Sequence, residues 1–565
     1  MKTQTTILSI SFIVIFFSVF QAQDFYLHEN GVTCMCPHAA IGDTGEVNGV
    51  TYTKRSRDQI TIQNAHETCT SGITNFNGIF QSSSFNGDIS SWDVSSGIDF
   101  SFAFASYVSD SFFNQDLSHW DVSNGELFEG MFAGATEFNS AIGNWNVSNA
   151  TNMADMFYGT ESFNQNLNNW NVSNVVNMSQ MFINSAFDEP LDNWDVGNVL
   201  SMQRMFRESN FNQDISSWDV SKVTNMSGMF SYNDSFDQPI GNWDVSNVTD
   251  MQLFFFKATA FNQEIINWDV SNVTKMNFMF SEAVSFNQSL NDWNVSNVDN
   301  FSHMFYKATS FNNGLRNWSL DSALLVSFMF GDATAFNQPL ETWDISNVTS
   351  LLGFFSGASS FNQSINNWDT SNVTNITYIF EDATSFNQPL NSWDVSNVQG
   401  FSNAFKNAVS FNQPLDSWDT SSHVALTMRE MFNGATSFNQ DLTSWCVNLI
   451  NNTPHLFANE AALETENFPN WGQDCVLSVI DFETNDISIF PNPAKNQVSV
   501  YFEKTSVNKI EISIFSIHGK HLQSVSIKNT DNSYKLDISD LAEGTYLIQI
   551  SSEGKKLTKK LIKEN

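Results

Sequence analysis

Basic side chains are scarce in this chain: 24 Lys and Arg face 60 Asp and Glu, for a net charge of −36. Residues 481–565 hold 11 of each sign, so the whole excess lies on residues 1–480. A field of that sign opposes nucleic acid and anionic membrane as partners. It also keeps a large aromatic-rich surface soluble. Cysteine is nearly missing. None of the five falls between Cys69 and Cys446, which confines disulfides and thiolate sites to the two ends of that stretch. Long apolar runs are missing too. Ile7 to Phe20 is interrupted only by Ser and is too short to span a bilayer comfortably; no other segment reaches transmembrane length. Catalytic signatures are absent: there is no H-E-x-x-H, no G-x-S-x-G and no phosphate loop. The chain therefore reads as no enzyme.

What is present is a period. Tryptophan recurs at 92, 120, 145, 170, 194, 218, 243, 268, 293, 318, 343, 368, 393, 418 and 445, and from Trp218 to Trp418 the spacing is always 25. A fixed period of this size is the mark of stacked repeats. Such an array offers a long surface rather than one pocket, which favours binding over catalysis.

One repeat, residues 211–235, reads FNQDISSWDVSKVTNMSGMFSYNDS. Val223, Met226, Met229 and Phe230 follow Trp218 at gaps that put four apolar groups on one face of a two-turn helix. Ser221 is placed to cap that helix. Phe211 to Val220 is too short and polar for a second helix, and reads as a short strand or turn. The expected fold is an α/β repeat solenoid of the leucine-rich-repeat kind. Each coil of about 25 residues pairs one short strand or turn with one short helix.

Phe stands seven residues before Trp in all fifteen repeats, followed by Asn in thirteen and Asp in two. Trp218, Trp243, Trp268 and Trp293, with Phe211, Asn212, Phe230, Phe255 and Phe280, are the expected per-coil core set. Aromatics exposed for stacking on sugars are the alternative. The Asn after Phe is expected to satisfy backbone groups between coils. Asp follows Trp in ten repeats and Asn in three, which points to a hydrogen-bond acceptor rather than a required charge. No cofactor is expected; calcium along the Asp row is the single candidate. The variable pair before each Trp, and the loop before each Phe, are where a ligand should be sought.

Lys2 and the following apolar run read as a secretory signal over residues 1–23. Residues 24–73 form an N-terminal cap, 74–445 the array, 446–476 a C-terminal cap and 477–486 a linker. Cys446 and Cys475 are the natural C-terminal pair. Cys69 pairs with Cys36 or Cys34, leaving one thiol free. Zinc is disfavoured by the Cys-Met-Cys spacing. From Ile487 seven short alternating runs suggest a small all-β sandwich over 487–565.

Residues 74–446 resemble the BspA-like leucine-rich-repeat surface proteins, in the variant whose unit reads FNQ-x-(L/I)-x-x-W-(D/N)-V-S-N-V-T-x-M-x-x-M-F. The caps match as well, in GVTCMCPHAAIGDTGEVNGVTYT before the array and in WCV and WGQDC after it. That family's cap carries one cysteine in its first motif. The match to Cys36 makes Cys34 the extra thiol. Residues 485–565 resemble the C-terminal sorting domain of type IX secretion in Bacteroidetes. The matching residues are Pro491, Asn492, Pro493, Gly544, Tyr546 and the lysines around Lys560. Together the resemblances imply a secreted or surface-attached protein that engages the type IX machinery. They also imply an extracellular protein or polysaccharide ligand, and a role in adhesion. Surface carbohydrate binding is the alternative.

Overall fold

The computed structural model describes residues 24–107, 111–421, 426–473, 487–502, 510–517, 520–527, 533–552 and 555–564. The signal segment, Cys475 and the linker lie outside these. The chain divides into two compact units, 1–472 and 473–565.

The first unit opens with five short strands. These are β1 (Tyr26–Leu27), β2 (Cys34–Met35), β3 (Thr44–Val47), β4 (Val50–Lys54) and β5 (Thr68–Cys69). A disulfide joins Cys36 to Cys69, and Cys34 is a buried free thiol. Fifteen coils follow. Consecutive coils are linked by single parallel bridges, such as Ser201 to Asn225 and Asn225 to Asp250.

The expected α/β solenoid is not what forms. Among the described residues there is no α-helix; the helical elements are three single 3₁₀ turns, none within the fifteen coils. The parallel bridge at Asn225 falls inside the stretch expected to be helical. There the backbone N–H groups of Met226, Gly228, Phe230 and Tyr232 donate to the next coil, while those of Met229, Ser231 and Asn233 donate three residues back. Gly228 and Tyr232 have left-handed backbones, with φ of 62° and 58°. Ser221 caps no helix: its N–H donates to Asp219 Oδ1 at 3.0 Å, in a tight Asx turn.

Spacing supplies the reason. Met226, Met229 and Phe230 are fully buried, as a helix would have them. Yet Phe230 lies 6.0 Å from Phe255, its counterpart in the next coil, measured between ring centroids. Packed helices need about 8–10 Å between axes. Coils this close on every side admit only extended and turn backbone, whose N–H groups reach across to the neighbour.

The second unit holds β6 (Ile487–Phe490), β7 (Gln497–Phe502), β8 (Ile510–Ser516), β9 (His521–Ile527), β10 (Ser533–Asp537), β11 (Gly544–Ser552) and β12 (Lys555–Lys563). They form two sheets, ordered β10-β7-β6 and β12-β11-β8-β9. Ile510, Ile512 and Ile514 point inward at period two and join Val498, Val500 and Ile548 in one apolar cluster.

Candidate functional site

The aromatic rows of the array are interior. Trp218, Trp243, Trp268 and Trp293 are 2–3% exposed, and Phe211, Phe230, Phe255 and Phe280 are fully buried. Trp268 and Trp293 lie 6.2 Å apart and 6° from parallel. Phe230 stacks on Phe236 at 3.8 Å, and Phe255 on Phe261 at the same distance. Every one of the fifteen Trp side chains donates its Nε1–H to a backbone carbonyl of the preceding turn of chain, at 2.8–3.2 Å. For Trp218 the acceptor is Leu191. The indole thus fills the core and closes one hydrogen bond between coils, leaving no polar atom stranded.

Two amide rows stitch the outside. Asn212 Oδ1 accepts the N–H of Asp237 and Nε2–H of Gln238, each at 3.0 Å. Asn247 Nδ2 donates to the Ser221 carbonyl at 2.7 Å, a contact repeated by Asn272 and Asn297. Apart from the buried Asp93, the Asp row is exposed and turn-forming. Ser221 hydroxyl and N–H donors hold the Asp219 carboxyl below the usual carboxylate range, and Ser271 does the same for Asp269. Among the described residues no cluster of three or more metal-ligating side chains forms. In the N-terminal cap, burial and nearby Asp93 push the Cys34 thiol up to about 12, so it stays protonated.

A different set of aromatics lies outside the core. Tyr232, Phe256, Phe278, His303, Tyr306 and Phe328 are all half-buried, and each touches the next. Phe278 stacks on His303 at 4.5 Å, and His303 on Phe328 at 5.3 Å. Burial lowers the His303 pKa, which favours the neutral ring. Phe278, His303 and Phe328 share one coil position, and all three are left-handed, with φ of 59°, 57° and 52°. Neighbouring coils put Leu253 or Tyr378 there, and others Gly228 or Gly353, to which that backbone is nearly free.

Beside this ridge runs a groove of about 720 Å³ that crosses five coils. Tyr232, Lys257, Glu282, Lys307 and Asp332 line it, one from each coil. All five sit at the second left-handed position, with φ of 52–59°. Lys257 Nζ lies 4.8 Å from the centroid of the Tyr232 ring and 3.7 Å from Glu282 Oε2. Arg207 lies 4.8 Å from the same ring. Lys307 lies 5.0 Å from the Tyr306 ring.

Charge singles out the same strip. Residues 74–445 contain nine Lys and Arg, and seven lie between the bridge residue and second left-handed residue of a coil. That segment carries ten acidic residues; the rest of the array has 29, against two basic ones. The strip is close to neutral on a strongly acidic body. Two further cavities, of about 620 and 660 Å³, lie by the residue pairs preceding Trp, around Asn366–Asn367 and Gly241–Asn242. Their amides are largely spent on the coils: Asn242 and Asn367 donate to backbone carbonyls of the preceding coil.

Sequence reasoning placed a ligand near the pre-Trp pairs and pre-Phe loops; the pre-Phe loops supply Asp234, Thr259, Val284, Thr309 and Thr334 of the groove lining, but the aromatic ridge beside it was missed. The available signal was Gly at the ridge position in some coils and a bulky ring in others. In the second unit, motif residues far apart in sequence converge. Asn492 Nδ2 donates to the Lys560 carbonyl at 2.7 Å, and its Oδ1 accepts the Ile562 N–H at 2.8 Å. It therefore covers part of the outer edge of β12. Gly544 and Tyr546 pair with Lys563 and Leu561 on that strand.

Residues 488–564 match a secretion system C-terminal sorting domain. That match marks the protein for export through type IX secretion to the cell surface or beyond. No helix of the described residues is long and apolar enough to cross a membrane. No curated protein matches the chain. Residues 51–170, 156–258, 229–343, 325–445 and 422–484 match the model described as Mycoplasma protein of unknown function, DUF285. Those spans run from residue 51 to 484 and take in every coil, so the chain belongs to the DUF285 family.

Proposed function

We propose that the array is a non-catalytic interaction module, presented outside the cell, that engages an extracellular macromolecule through the half-buried ridge. One observation carries this reading. Bulky rings occupy one left-handed position in three successive coils, at Phe278, His303 and Phe328, where single-residue strain costs about 1–2 kcal/mol and some coils place Gly instead. Aromatic rings held at a cost on a surface are characteristic of binding sites. The resemblance to BspA-like surface proteins supports adhesion as the biological use.

Two measurements test the proposal. Protease treatment of intact cells should remove the array; an array left whole on cells that carry it would refute surface display. Purified protein should retain at least one extracellular matrix protein or polysaccharide on a sensor surface, and Phe278→Gly with Phe328→Gly should weaken that retention. Release of new reducing ends or peptide termini from the retained polymer would overturn the non-catalytic reading.

A further inference from the structure

We infer that the groove beside the ridge takes a neutral linear polysaccharide, laid along the axis of the array. This rests on the ridge being the interaction surface and adds the chemical class of its occupant.

The groove repeats with the coils. Each of five successive coils contributes one residue from the same left-handed position, so the lining recurs along the axis. A ligand built of repeating units matches a lining built that way. With neighbouring coils about 4.8 Å apart, as hydrogen-bonded extended chains are, the groove accommodates about 20 Å of polymer.

Charge selects a neutral chain. Down the groove, donors and acceptors alternate as Lys257, Glu282, Lys307 and Asp332. With Asp234 also lining the groove, a polyanion would meet three carboxylates and a polycation the two ammonium groups. Sugar hydroxyls both donate and accept, so one polymer satisfies all five groups. The surrounding acidic surface further repels polyanions.

The groups are also held ready. Lys257 is braced between the Tyr232 ring at 4.8 Å and Glu282 at 3.7 Å, which limits the side-chain freedom lost on binding. Ring edges of the ridge and the methyl-bearing side chains of Thr259, Val284 and Thr309 supply apolar area for the C–H faces of sugars.

The test uses the full chain in calorimetric titration with four neutral polymers: β-1,4-glucan, β-1,4-mannan, β-1,4-xylan and α-1,4-glucan. Polygalacturonate and unfolded casein are the contrasting arms. At least one neutral polymer should bind, with Kd unchanged between about 50 mM and 500 mM salt. Affinity should climb with oligosaccharide length until the ligand spans five coils. Tyr306→Ala, and the double variant Phe278→Gly with Phe328→Gly, should each weaken binding about tenfold or more, equivalent to ~1.4 kcal/mol. Both should keep the parent's melting temperature. Binding of polygalacturonate alone, lost with added salt, would overturn the neutral-glycan inference. Binding of casein alone, sensitive to the ridge variants, would also overturn it while leaving the ridge as an interaction surface. Glycan binding unaffected by the ridge variants would refute the inference and remove the ridge as its site. No binding in any arm would refute the glycan inference, leaving the broader reading to the sensor and cell-surface measurements.

Discussion

Phe330 and Phe328 stand two residues apart in one coil and serve opposite ends. Phe330 is fully buried, stacks on Phe336 at 4.1 Å and repeats as Phe in the coils on both sides. Phe328 is half-buried on a left-handed backbone, and its counterparts are His303 on one side and Gly353 on the other. The first ring holds coils together, and any coil that lost it would leave a hole. The second belongs to a neighbourhood that only some coils build. Aromatic identity alone does not separate core from ridge here; repetition does.

Breaking the core row gives the largest effect. Trp268→Ala empties a nearly fully buried position and removes the bond from Nε1 to the Ile240 carbonyl. The expected loss is about 3–5 kcal/mol. In a stack stabilised by neighbours, local melting of the adjoining coils should accompany it. Hydrogen exchange around Ala258 and Phe280 would read this as lost protection.

Asp155 sharpens the comparison from the ridge side. It occupies the same left-handed row as Phe328, at φ 57°. Burial and nearby Glu129 raise its pKa to about 6. A carboxyl whose folded pKa is raised above the unfolded value of about 3.9 penalises folding as pH rises through that window, fully so above 6. Asp155→Asn should therefore stabilise the protein by about 1–2 kcal/mol at pH 8, after allowing for partial exposure, and leave stability near pH 4 unchanged. Thermal melting across pH checks the sign.

A smaller loss is expected from the amide row. Asn247→Ala removes an exposed bond to the Ser221 carbonyl, worth about 0.5–1 kcal/mol. Chemical unfolding should resolve it, and a cost equal to that of Trp268→Ala would show the outer rows to be as important as the core.

Much of this was legible from the residues. The 25-residue period, the fixed Trp and Phe, and the asparagine after Phe are where an internal comparison of repeats put them. The helix was misread because Val223, Met226, Met229 and Phe230 carry helical spacing whether the backbone is helical or turns twice. Side-chain period reports which groups face inward, not how far the neighbouring coil lies. The identical aromatic in every coil held that second piece of information, since rings that stack coil upon coil leave no room for helices. The ridge was harder to see because its residues vary. Phe278, His303 and Phe328 look like loop variation until their shared backbone conformation is known. Asn492 was recognised by resemblance, but its hold on β12 depends on a strand about 70 residues away and needed the fold.

The division between structural and ridge aromatics is tested most directly by the melting temperature of Phe328→Gly. Glycine relieves a left-handed backbone while the ring's partial burial is lost, so the two effects should cancel to within about 1 kcal/mol. A melting temperature close to the parent's is the expected result. A fall comparable to that of Trp268→Ala would place Phe328 in the core and contradict the division.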